Sequence, residues 1–167
     1  MKSVERRRVG FPREKARKVL DEYFSKNPPF HLPIPVHAIA QFYQFEVYEL
    51  NNLNRHQRAI KIEFPTEGRR LIGVNSTYHR HNQRFSLGHE MGHHFLEHPA
   101  EDACDEGEIK IYNGEADEFS AELLIPIETL KNKLKEIKDV STVAKLFDVS
   151  EQAIWIKITS RRLLNTL

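Results

Sequence analysis

The segment RFSLGHEMGHHFLEH, residues 84–98, constrains the fold of this chain more than any other stretch. Its pattern is helical from Asn82 to Glu97 and stops at His98-Pro99, and the apolar residues Phe85, Leu87, Phe95 and Leu96 demand that the helix be buried. Within it, His89-Glu90-Met91-Gly92-His93 carries two imidazoles four residues apart. On a helix such residues differ by about 40° in azimuth, so both rings leave one face and can converge on one ion. Glu90 falls about a quarter turn round, beside the ion, where it can take a proton from metal-activated water and hand it to a leaving amine. A catalytic zinc takes three protein ligands and keeps one open position. The fold must therefore bring a further donor to this helix from elsewhere.

The rest of the chain is that of one ordinary globular protein. Its 167 residues allow a sizeable core, 40% are hydrophobic and 29% charged, and a net charge of +1 gives no overall bias towards nucleic acid or membrane. A basic start, KSVERRRVGFPREKARK, and an acidic stretch, EDACDEGE (101–108), read as solvated surfaces. The single Cys104 excludes an internal disulfide framework and suits a reducing compartment. No apolar run reaches the length of a membrane span and no signal-peptide core is present, so a cytoplasmic location is expected.

Helical spacing of Ala16, Val19, Leu20, Tyr23 and Phe24 predicts a helix over 13–27, which NPPFHLPIP ends with four prolines in nine residues. A short helix restarts in PVHAIAQFYQF with Pro35 in its first turn. Three strands follow, at 45–50, 58–65 and 69–75, the last two joined as a hairpin through PTEGRR. After the metal-binding helix the acidic stretch reads as a loop, then 114–126 as a helix stopped at Pro126, and 127–137 as an amphipathic one. The tail reads as two short helices, with Ser141 expected to cap the first and Ser150 the second.

The helix over 114–126 supplies candidates for the missing ligand. Glu115, Glu118 and Glu122 stand at i, i+3 and i+7 and share a face; packed on the first helix, any of them would complete a His-His-Glu site. His94 and His98 fall off the ligand face and read as bystanders. Tyr78, His79 and His81 precede the helix and are within reach of assisting at an oxyanion, while Arg84 is expected to tie its loop down through a carboxylate.

RFSLGHEMGHHFLEH followed by EADEFSAELLIP resembles the ImmA/IrrE-type metallopeptidases, gluzincin-like proteins of bacteria and their mobile elements. Arg84, Phe85, Ser86, His89, Glu90, Gly92 and His93 match the first block of that family; Glu115, Ala116, Asp117, Phe119, Ser120, Ala121, Leu123, Leu124 and Pro126 match the second. The resemblance runs over the chain from about residue 13 onwards. It implies an α+β fold: a mostly helical zincin-like core with a small three-stranded sheet over 1–126, and a helix-turn-helix-like helical subdomain over 127–167 packed on it. It further implies a zinc-dependent endopeptidase of narrow specificity, with His89, His93 and Glu115 holding the zinc, Glu118 in reserve, and Glu90 as general base. The implied substrate is a helix-turn-helix repressor of stress-response or mobile-element genes. Many family proteins carry an additional DNA-binding or sensor domain, and this chain has the length of the minimal peptidase form.

Two other functions compete with cleavage. A non-cleaving module would keep the metal fold to recognise a repressor or antitoxin, but such a protein commonly loses the carboxylate that this chain keeps at Glu90. A DNA-binding regulator would use VAKLFDVSEQAIWIKITSRRL, whose second helix offers Gln152, Lys157, Arg161 and Arg162 yet is largely apolar through Trp155 and its isoleucines.

Overall fold

The computed structural model describes residues 9–166, so the basic run over 1–8 lies outside the described residues. The fold is α+β. Its helices are α1 (Phe11–Lys26), α2 (Val36–Phe42), α3 (Arg80–Phe95), α4 (Glu106–Leu124), α5 (Ile127–Ile137), α6 (Val140–Phe147) and α7 (Glu151–Ser160). Strands β1 (Phe45–Leu50), β2 (Ala59–Phe64) and β3 (Arg69–Asn75) lie between α2 and α3. The sheet has the order β1-β3-β2, with β1 parallel and β2 antiparallel to the central β3. The expected hairpin is the β2–β3 pair, and it leaves β2 on an edge. No described helix is long and apolar enough to cross a membrane.

Leu87 and Met91 of α3 are fully buried with Phe119 and Leu123 of α4, Ile39 of α2 and Ile72 of β3. Apolar burial of this kind holds α3 between the sheet and α4. Two glycines set how closely α3 and α4 approach. A Cβ on Gly92 would meet backbone atoms of Ala116 at 3.2 Å, and one on Gly88 would fall inside contact distance of the Ser120 hydroxyl. That hydroxyl is itself fixed by donating to the Phe85 carbonyl at 2.8 Å, so it has little room to yield. Gly88→Ala is therefore expected to cost about 1–3 kcal/mol, the usual penalty of overpacking. Urea unfolding measures it, and an unchanged midpoint would show that the helices separate freely.

The structure departs from the sequence expectation at α4. This helix begins at Glu106, eight residues before Gly114, because Asp105 accepts from the Glu108 N–H while the Glu108 carboxylate accepts from the Asp105 N–H. That reciprocal capping satisfies otherwise orphaned donors and starts a helix inside the acidic stretch read as a loop. At α6 the cap is Asp139, accepting from Thr142 N–H at 2.7 Å, instead of Ser141. Ser150 caps α7 as expected. The tail packs back onto the core: Asp148, in the turn between α6 and α7, accepts from Arg80 at 2.7 Å and pairs with the buried Arg84 at 3.3 Å.

Candidate metal centre

His89 and His93 leave the same face of α3, and their Nε2 atoms stand 3.0 Å apart. Two nitrogens on one tetrahedral zinc, each at about 2.0–2.1 Å, would be separated by about 3.3 Å. The two rings are thus within a few tenths of an ångström of a chelating geometry.

The partners of the opposite ring nitrogens fix the tautomers. His89 Nδ1 lies 2.8 Å from Asp117 Oδ1. A carboxylate only accepts, so His89 Nδ1–H donates and, in the neutral ring, Nε2 keeps a bare lone pair. His93 is governed from further away. In the neutral ring His98 Nε2 donates to Glu115 Oε2 at 2.8 Å, which leaves His98 Nδ1 as an acceptor for His93 Nδ1–H at 2.9 Å. His93 Nε2 is then also bare. Two lone pairs facing at 3.0 Å repel unless a proton or a metal ion sits between them, and carboxylate–histidine pairing of this kind is how proteins orient metal-ligating imidazoles. Burial, with repulsion from Lys61 and from His89 and His98 whenever those rings are protonated, holds His93 down at about 4. Burial lowers His89 as well, but the hydrogen bond and charge of Asp117 outweigh it and the net shift is upward.

His98 reaches this network through the end of α3. Glu97 takes a left-handed conformation (φ 55°), and the His98 N–H donates to the His93 carbonyl at 3.0 Å while the Glu97 N–H donates to that of His94. This Schellman-type reversal folds His98 back under the helix, against Tyr112, with its side chain 1% exposed. Face arithmetic that stops at the helix end misses it, so His98 is a supporting residue rather than a bystander. His94 faces the sheet instead, bonding Arg70 at 2.8 Å and Glu63 at 3.2 Å.

The shared face of Glu115, Glu118 and Glu122 does not turn to α3. Glu118 pairs with Arg13 and Glu122 with Arg17, both on α1, while Glu115 holds His98. On the imidazole side instead are Asp117, bonded to His89, and, one turn earlier, Asn113, which lines the same cleft as both rings. Sequence reasoning missed Asn113 because it was placed in a loop; the Asp105-x-x-Glu108 pattern was the signal that α4 includes it. Among the described residues, no three His, Cys, Asp or Glu side chains come together as a metal site. The donors present, two tautomer-fixed imidazoles and a neighbouring carboxamide, nonetheless fit a divalent ion of the zinc class.

Glu90 lies beside His89 on the same cleft, which has a volume of about 750 Å³ and is lined also by Asn113, Asp117, His56 and the edge residues Arg58–Lys61. Burial raises the Glu90 carboxyl above the ordinary range, although His89 and Lys61 oppose that shift. Tyr78 is turned away, donating to the Arg55 carbonyl; His79 caps α3 by accepting from the His81 N–H, and His81 faces Asp148 at 3.4 Å. None of these three lines the cleft.

A family model described as the IrrE N-terminal-like domain, of a peptidase family, matches residues 31–159. Among solved structures, a Mycobacterium tuberculosis transcriptional regulator has a similar fold, with a TM-score of 0.58 at 10% identity over 84% of this chain and 45% of that one. The chain thus spans less than half the length of that regulator. No curated protein matches it in sequence.

Proposed function

Because the chain belongs to the IrrE N-terminal-like peptidase family, we propose that it is a zinc metallopeptidase in which His89 and His93 hold the ion and Glu90 is the general base. The facing Nε2 pair, with both tautomers fixed from behind, is the observation that carries this reading. An ion held there would supply Lewis-acid polarisation of the scissile carbonyl. Glu90 takes the proton of the attacking water and delivers it to the leaving amine, and its burial makes it the stronger base for that task. The Asp117–His89 and Glu115–His98–His93 chains hold the imidazoles in place. In this role Glu115, the ligand expected from the sequence resemblance, acts through His98.

The free edge of β2 orients the substrate. Arg58, Ala59, Ile60 and Lys61 line the cleft opposite His89 and Glu90, and an extended peptide added to that edge runs across the imidazole pair. A helix-turn-helix repressor is the proposed physiological substrate, supported by the resemblance of both sequence blocks and in keeping with a structural neighbour that is a transcriptional regulator. Trp155 and Ile156 of α7 are 43% and 60% exposed, an apolar surface better matched to a protein than to DNA phosphates.

Zinc-loaded protein incubated with a proteome-derived peptide library, and with folded helix-turn-helix proteins, is expected to generate new termini by mass spectrometry. Removal of the metal with a chelator is expected to abolish them and added zinc to restore them. Metal binding without any cleavage would favour the non-cleaving module, and chelator-insensitive cleavage would sink the metal mechanism.

A further inference from the structure

We propose that the third protein donor of this centre is Asn113, through its carboxamide oxygen, so that the donor set is neutral: two imidazoles and an amide. The inference rests on the metal-site reading above. Asn113 stands one turn before Asp117 on α4 and lines the same cleft as the His89 and His93 rings and Glu90. Asp117 follows it at i+4 and holds His89 from the far side of the ring, so one face of α4 carries both the donor and the orienting carboxylate. Glu115 is about 200° round the helix from Asn113, and its carboxylate is 2.8 Å from His98 Nε2. To reach the ion it would have to abandon His98, whose acceptor nitrogen sets the His93 tautomer.

Of the four carboxylates that line the cleft, Glu101 lies in the short turn between α3 and α4 and the other three are engaged. Asp117 is spent on Nδ1 of His89, Glu63 reaches Lys61 and His94, and Glu90 occupies the base position. That distribution explains why no three His, Cys, Asp or Glu side chains converge among the described residues. A carboxamide donor leaves the full dipositive charge of the ion uncompensated by protein. Affinity for zinc is correspondingly lower than a carboxylate would give, and the ion is a stronger Lewis acid.

The test is zinc affinity by competition with a chromophoric chelator, paired with the visible spectrum of the cobalt(II)-substituted protein as a readout of coordination. Asn113→Asp is isosteric and adds the missing charge; it is expected to tighten zinc by at least about tenfold and to shift the cobalt bands. Asn113→Ala is expected to weaken zinc by at least about tenfold with an unchanged thermal midpoint. Glu115→Gln, which removes the charge behind His98 but still offers it an acceptor oxygen, is expected to weaken zinc less than Asn113→Ala does and to leave the cobalt bands in place. Loss of zinc in Glu115→Gln with no response at either Asn113 variant would overturn the assignment. Failure of both wild type and Asn113→Asp to bind zinc or cobalt would instead remove the metal reading on which it stands.

Discussion

Glu90→Gln is expected to lower the turnover of any peptide this protein cleaves by about 10²–10⁴-fold, the range that a positioned general base contributes. Zinc content is expected to be unchanged, because the carboxylate stands beside the imidazole pair and is not one of its donors. The amide keeps the size of the side chain and its place in the cleft, so fold and cleft shape are preserved. What it loses is the ability to accept a proton, and burial had sharpened that ability by lifting the carboxyl above its ordinary range. Initial rates on library peptides, set against metal content by mass spectrometry, separate the chemical effect from a loss of the ion. Turnover within tenfold of wild type would move the base to another group on the cleft wall, for which His56 and Glu101 are the positioned alternatives.

Those two measurements bear on a site that was only half legible in the sequence. Spacing alone singled out His89, Glu90 and His93 as candidates, because i, i+4 geometry is intrinsic to any helix, and the structure places all three on α3 along one cleft. The strands were equally plain: β1 and β3 occupy the residues expected from their alternation and turns, and β2 differs by one residue at each end. What spacing could not reveal was which face of α4 meets α3. That choice is made by Gly88 and Gly92, which admit Ser120 and Ala116 at close range and so aim Asn113 and Asp117 at the imidazoles. Glu118 and Glu122 are left to α1, where they pair with Arg13 and Arg17, while Glu115 holds His98. His98 was hidden for a related reason, since its position depends on the left-handed turn at Glu97 and not on helical periodicity. A capping box within an acidic run was the one readable clue that went unused.

The largest stability effect is expected at Glu122. Its side chain is 0% exposed and accepts from Lys157 Nζ at 2.6 Å, Arg17 Nε at 2.9 Å and the Ile127 N–H at 3.2 Å. One carboxylate thereby joins α1, α4, α7 and the start of α5. Burial alone would raise the Glu122 pKa, but the charge and hydrogen bond of Lys157, with that of Arg17, outweigh it and the net shift is down. Lys157 is also shifted down, by burial that Glu122 only partly offsets, so its charge is tolerated through this one partner. Glu122→Ala leaves that ammonium buried without its counter-charge and strips the Ile127 N–H of its acceptor. Breaking a buried pair from one side costs about 3–5 kcal/mol, which for a chain of this size lowers the thermal midpoint by roughly 6–20 °C. Pairing it with Lys157→Met is expected to recover much of the loss, since the stranded charge is removed along with its partner. The sign of the pH dependence follows from the same shift. A carboxyl whose folded pKa lies below its unfolded value of about 4.3 stabilises fully above that value, and the contribution disappears as pH falls through the folded pKa. Wild type should therefore lose more stability than Glu122→Ala between neutral pH and the acid range, so the gap between their unfolding midpoints narrows on acidification. A gap that stays constant or widens would mean that Glu122 acts by filling space and not by its charge.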